Sequence, residues 1–263
     1  MLESYIKDRL REKDILLMTH IVLGYPTFDE SFKIVESMVE GGVDLMELQI
    51  PFSEPIADGP VILHAKQRAL EKGASVQRCL DFAQEVAGNF DIPFLFMSYY
   101  NILFKYGVES FASQMAKRGL KGAIVPDLPP EEGKDYLAAM ARHGLSPIFI
   151  FSPTTSQARM DYIASFAKGF VYCVARKGVT GQNTAFSMEL DGYLSRCRKA
   201  TDLPLALGFG VKNRKDIDFL KGKADIAVIG TQTIRLVKKN GVGVVEAFIK
   251  GLAGDSHGSI PVR

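Results

Sequence analysis

The sequence predicts a (β/α)₈ barrel, and three observations lead there. Eight short apolar segments, rich in β-branched and aromatic residues, alternate with longer segments of helical period. Most of the eight are almost continuously apolar, as parallel strands covered on both faces must be. Eight such units fill about 250 residues, the usual size of this barrel. A doubly wound open sheet is the alternative, but the glycine fingerprint expected after its first strand is absent.

Residues 1–14 precede the first strand and place Leu2, Ile6 and Leu10 on one side, which predicts an extra helix across the barrel floor. The strands are expected at 16–24, 43–50, 93–100, 122–127, 146–151, 169–175, 204–210 and 226–230. Between the first two, Thr27 and Glu30 form a capping-box pair. Phe28, Phe32, Val35 and Val39 follow at helical spacing, and Gly41-Gly42 ends that helix. After the fourth strand, Pro129-Pro130-Glu131-Glu132 puts prolines and acids where a helix start favours them, and Gly144 ends the helix that follows. Asn213 with Asp216 opens another. A short additional helix is expected at 231–239, ended by Gly241, with a last helix at 244–252. The final ten residues read as a loose tail. No linker divides the chain, so 1–263 reads as one domain.

Composition narrows the function classes. The 263 residues carry 32 basic and 30 acidic side chains, a net charge of +2, with no basic run. Nucleic acid and anionic membranes are therefore poor partners. No apolar run approaches the ~20 residues of a membrane span. The three cysteines, Cys79, Cys173 and Cys197, are widely spaced and match no metal pattern. They fit a reduced, cytoplasmic setting.

In such a barrel the active site lies at the C-terminal ends of the strands. The second strand alternates faces, so Leu45, Glu47 and Gln49 share one side and Met46, Leu48 and Ile50 the other. The wholly apolar set should face the helices, which turns Glu47 inward near the barrel mouth. Asp58 lies in the loop above the same strand. Two carboxyls in unlike surroundings suit acid–base work, because burial raises one pKa while solvent or hydrogen bonds lower the other. The plainer reading makes Glu47 a salt-bridged core residue and Asp58 part of an Asp-Gly-Pro turn. Glycines after strands six, seven and eight (Gly178 and Gly181, Gly208 and Gly210, Gly230) suggest a backbone cradle for a phosphate, completed by a short helix opening at Thr231. Glycine in such loops is also ordinary. From the residues alone, the expectation is a barrel enzyme acting on a small phosphorylated substrate.

Residues 47–60, ELQIPFSEPIADGP, resemble the signature of the tryptophan synthase α subunit family. LGYP at 23–26, DLPPEE at 127–132, the run 176–181, GFG at 208–210 and Gly230-Thr231 agree in order and spacing. The resemblance implies a lyase of tryptophan biosynthesis that cleaves indole-3-glycerol phosphate by a retro-aldol step. It implies Glu47 as the acid–base residue and Asp58 as the group that holds the indole N–H. Tyr172 would stand beside the glutamate, and Thr180 on a loop that closes over substrate. Gly181, Gly210, Gly230 and Thr231 would bind phosphate, and Met97 and Phe209 would contact substrate. No cofactor is expected in this chain. A β subunit carrying pyridoxal phosphate would join it in an α₂β₂ assembly, across Glu54, Pro55, Asn101, Phe104, Asp127 and Pro129.

Three positions depart from the family's pattern. Gln49 stands where glycine is usual; it is expected to narrow the pocket, or to hydrogen-bond Glu47 and lower its pKa. His20 replaces an aromatic residue that lines the indole site, unless it is simply a satisfied core histidine. Lys177 replaces a small residue. A non-catalytic subunit that only activates its β partner, a stand-alone indole-releasing lyase and another phosphate-binding barrel enzyme remain the alternatives.

Overall fold

The computed structural model describes residues 1–55, 58–175, 183–208 and 210–254, with backbone alone at 183–187. Its strands are β1 (Leu16–Val22), β2 (Leu45–Gln49), β3 (Phe94–Met97), β4 (Gly122–Ile124), β5 (Ser146–Phe151), β6 (Val171–Val174), β7 (Leu205–Gly208) and β8 (Ile226–Ile229). They pair in chain order, all parallel, and β8 pairs back onto β1 through Leu17↔Ala227 and its neighbours. That closure decides for the barrel over the open sheet.

The helices wrap the outside. In chain order they are α1 (Leu2–Arg9), α2 (Phe28–Glu40), α3 (Pro60–Glu71), α4 (Val76–Asn89), α5 (Tyr100–Tyr106) and α6 (Val108–Lys117). There follow α7 (Lys134–Arg142), α8 (Gln157–Ala164), α9 (Asn183–Ala200), α10 (Arg214–Leu220), α11 (Thr231–Asn240) and α12 (Val245–Ala253). Several ends follow the sequence signals. At Thr27 the hydroxyl accepts the Glu30 N–H and donates to the Glu30 carboxylate, 3.1 Å each, so half of the expected capping box forms. Asn213 and Asp216 form both halves. Gly42 follows α2 at φ +94°, a conformation other residues rarely take. The prolines and acids at 130–132 make a 3₁₀ turn, and α7 starts at Lys134.

Strand alternation separates two cores. Leu16, Met18, Leu45, Leu95, Ile124, Ile148, Phe170, Ala206, Ile226 and Val228 fill the barrel interior. Leu17, Met46, Leu48, Phe94, Phe96, Ala123 and Leu207 face the helices. Several strands are shorter than the apolar runs suggested. Tyr99, Val125 and Leu128 are buried beyond the ladder ends, so apolar character continues into the loops of the barrel mouth after strand pairing has stopped.

The floor is closed from outside the barrel. Leu2 and Ile6 of α1 join the interior cluster. Asp44, just before β2 and wholly buried, ties this helix down. Its carboxylate accepts the Leu17 N–H at 3.0 Å and pairs with Lys13 at 2.7 Å and Arg9 at 3.1 Å, while the Tyr5 hydroxyl donates to its backbone oxygen. Removing the acid strands two partly buried cations and one amide. Asp44→Ala is expected to lower unfolding free energy by about 3 kcal/mol, read by denaturant titration.

Candidate active site

A cavity of about 510 Å³ opens at the C-terminal end of the strands. Each strand contributes through its last inward residues or the loop beyond. His20 comes from β1, Glu47 from β2, Met97 from β3, Ile150 from β5, Tyr172 from β6, Gly208 from β7 and Val228 from β8. Asp58, Gly210, Gly230 and Thr231 also line it. The catalytic candidates and most of the substrate candidates named from sequence thus meet around one space. Thr180, Gly181, Phe209 and Lys177 lie outside the described residues.

Glu47 is fully enclosed. Burial pushes its carboxyl from 4.5 up to about 8, and the hydrogen bond from Tyr172 opposes that only in part. Oε1 of Glu47 has no hydrogen-bond partner among the described residues. The salt-bridged alternative is therefore set aside: among the described residues no cation pairs with Glu47, which is kept as a neutral acid near pH 7. Tyr172 is itself held well above its usual range, by burial first and the nearby Glu47 second. Gly208 makes room for it, since a Cβ there would come within 3.0 Å of the ring.

Asp58 is placed quite differently. It is no mere turn residue, for its side chain is 8 % exposed and ion-paired with the fully buried Lys66 of α3. Tyr99 donates to Oδ2 at 3.0 Å, and the Lys66 ammonium lies 4.6 Å over the Tyr99 ring. Burial lowers the Lys66 pKa, and Asp58 counters it.

Gln49 corrects an expectation. It points inward, but its amide reaches Asp58 at 3.3 and 3.4 Å and its oxygen meets His20 Nε2 at 2.8 Å. It therefore does not lower the Glu47 pKa. Nor does it line the cavity; it sits behind His20 and Asp58 as a brace between them. His20 is only half satisfied. Nε2 is bonded, Nδ1 has no partner among the described residues, and burial pushes the ring pKa down to about 4.

The rim after β7 and β8 is suited to an anion. Thr231 opens α11 behind Gly230, and Gly230, Thr231 and Gln232 all line the cavity, which puts a helix N-terminus at this rim. Lys212 and Arg235 line the same wall. Sequence reasoning missed both cations, as it missed Lys66 and Tyr99. Lys66 did leave a trace: it falls on the face of α3 that buries Ala65 and Ala69. Among the described residues no group of His, Cys, Asp or Glu side chains could hold a metal ion.

The six interface candidates cluster beyond β2, β3 and β4. Glu54, Asn101 and Phe104 are exposed, Phe104 to 69 %, whereas Pro55, Asp127 and Pro129 are half-buried. Asp127 also accepts the Tyr100 N–H at 2.9 and 3.1 Å, capping α5 from a neighbouring loop.

Fold and cavity together define a (β/α)₈-barrel enzyme with a neutral buried acid and a bed for a small anionic substrate. The description "tryptophan synthase alpha chain" belongs to the family whose sequence pattern matches residues 6–252. The tryptophan synthase alpha chain of Syntrophotalea carbinolica is 66% identical over 252 residues, covering 96% of this chain and all of that one. That of Desulforapulum autotrophicum is 67% identical over 253 residues, with coverage of 96% and 100%. The crystal structure of the tryptophan synthase alpha subunit from Legionella pneumophila superposes with a TM-score of 0.86 at 28% identity, covering 96% of each chain. This chain belongs to the tryptophan synthase alpha chain family, lyases that cleave indole-3-glycerol phosphate in tryptophan biosynthesis.

Ionising Glu47 inside the fold is costly, and the sign of its effect on stability follows. Its folded pKa, about 8, exceeds the ordinary 4.5. Stability from the protonated form is full below about 4.5 and is lost as pH rises through about 8. In Glu47→Gln, which cannot ionise, the melting temperature should gain on the parent between those values and then run parallel. Differential scanning calorimetry across the range checks this.

Proposed function

We propose that Glu47 and Asp58 divide the cleavage of indole-3-glycerol phosphate between them, with the phosphate seated on Gly210, Gly230 and Thr231. The observation that carries this assignment is the contrast between the two carboxyls. Glu47 keeps its proton in an apolar wall, while Asp58 is ion-paired at the edge of the same cavity.

Glu47 donates its proton to C3 of the indole ring, leaving positive charge on the ring nitrogen. Asp58 accepts the ring N–H and stabilises that charge. The Glu47 carboxylate then removes the proton of the side-chain hydroxyl next to the ring. The C–C bond to C3 breaks, its electrons return to the ring, and the hydroxyl carbon becomes the aldehyde of glyceraldehyde 3-phosphate. The acid is regenerated in the same cycle. Tyr172 orients the Glu47 carboxyl, and Met97 packs against the substrate. Thr180, Gly181 and Phe209 are assigned to substrate by family resemblance.

No cofactor is needed in this scheme. The β subunit, with its pyridoxal phosphate, is the partner that would use the indole, and Glu54, Pro55, Asn101, Phe104, Asp127 and Pro129 are proposed as its landing area in an α₂β₂ complex. Phe104, 69 % exposed although its ring meets that of Tyr100, supports that surface as an apolar anchor.

Glu47→Gln should reduce indole release at least about 10³-fold while substrate still binds within a factor of about three. In the parent, kcat/KM should fall as pH rises through about 8, the direction set by loss of the Glu47 proton. Near-normal turnover in the variant would remove Glu47 from its role. Lys212→Ala combined with Arg235→Ala should raise KM for the phosphorylated substrate about tenfold and blunt its dependence on salt, measured by steady-state indole release. Assays with and without β subunit separate a partnered enzyme from a stand-alone lyase or a purely regulatory subunit.

A further inference from the structure

Two side-chain atoms on residues of the cavity wall are buried without a hydrogen-bond partner among the described residues: Oε1 of Glu47 and Nδ1 of His20. Their residues are register partners on adjacent strands, so the two atoms belong to the same level of the barrel.

The polarity of the imidazole follows from the bonds behind it. The Lys66 ammonium only donates and the Asp58 carboxylate only accepts. Gln49 must therefore turn its NH₂ group to Asp58, which leaves its oxygen facing His20 Nε2 at 2.8 Å. That oxygen only accepts, so Nε2 carries the hydrogen. In a neutral ring Nδ1 is then an acceptor. Gly230 neighbours this edge of the ring. A Cβ at Gly230 would stand 3.6 Å from Nδ1, so a larger side chain would cap it. Nδ1 is thus on the side of the phosphate rim, and Gln49 separates it from Asp58.

We propose that His20 and Glu47 together read the vicinal diol of the glycerol phosphate chain. Glu47 takes the hydroxyl next to the ring, and His20 Nδ1 accepts a hydrogen bond from the neighbouring hydroxyl, towards the phosphate. His20 then determines specificity for the diol and moves no proton. Gln49 and Lys66 act through it, as positioning residues that set its tautomer. The proposal rests on the reaction assigned above.

Binding is best measured in full-length Glu47→Gln protein, which holds substrate without consuming it. Two ligands are compared: indole-3-glycerol phosphate and the analogue whose plain propyl chain lacks both hydroxyls. Adding His20→Phe is expected to weaken the diol ligand about tenfold and the propyl analogue less than about twofold. Equal weakening of both would show that His20 shapes the pocket or meets the ring N–H, and would overturn the proposal, as would no weakening of either. If neither ligand binds the Glu47→Gln parent, the assigned reaction falls and the proposal falls with it.

Nitrogen-15 NMR of the Glu47→Gln chain needs no change at His20. The ring should be the neutral Nε2–H tautomer from about pH 6 to about pH 8. Indole-3-glycerol phosphate should shift Nδ1 in the direction of an accepted hydrogen bond, and the propyl analogue should leave it in place. An Nδ1–H tautomer, or equal shifts with both ligands, would overturn the proposal.

Discussion

Holding a carboxyl group out of water without a cation is the constraint around which the upper barrel is arranged. Glu47 is enclosed by strands whose inward residues are mostly apolar and include no cation among the described residues, and it answers by keeping its proton. Every other polar group of the site is consistent with that state. Tyr172 supplies a hydrogen bond, not a charge. The buried ammonium of α3 is paired with Asp58 in the loop above β2, where it does not favour ionisation of Glu47. Two residues of the same chemical type therefore differ because one has a counter-ion and the other has none.

Behind the cavity wall a single line of hydrogen bonds runs from Lys66 through Asp58 and Gln49 to His20. Each member fixes the orientation of the next, because ammonium and carboxylate ends leave the amide only one way to point. Gln49 and His20 are two positions of the described site that the resemblance marks as departures from the family's pattern. They are bonded to each other. A polar residue on β1 is tolerable inside the barrel because β2 offers it a partner, so the two changes make physical sense as a pair.

The barrel was legible because its strands are apolar on both faces and its helices carry capping residues at their ends. Glu47 was legible for the opposite reason: an acid interrupts an apolar run, and strand alternation alone turns it inward. Lys66 was hard to see because its partner lies on another element, and a lysine in a helix normally reads as solvent-facing. Gln49 showed the same limit. Alternation placed it inside beside Glu47, yet its hydrogen bonds run across to β1 and up to the loop, directions that a one-dimensional pattern does not contain. The strand ends were overextended at Tyr99 and Val125 for a related reason, since burial there outlasts backbone pairing.

The ring of strands closes between the two ends of the chain. The Leu16 N–H donates to the Asp225 oxygen, and Leu16 to Thr19 lie beside Ile226 to Ile229. A polypeptide emerging from the ribosome makes β1 first and its neighbour last. Through nearly all of translation, one margin of the growing sheet is left with unmet amides and carbonyls, the kind of margin that recruits stray strands. The gap between those two moments is where a nascent copy of this protein is most exposed to mispairing.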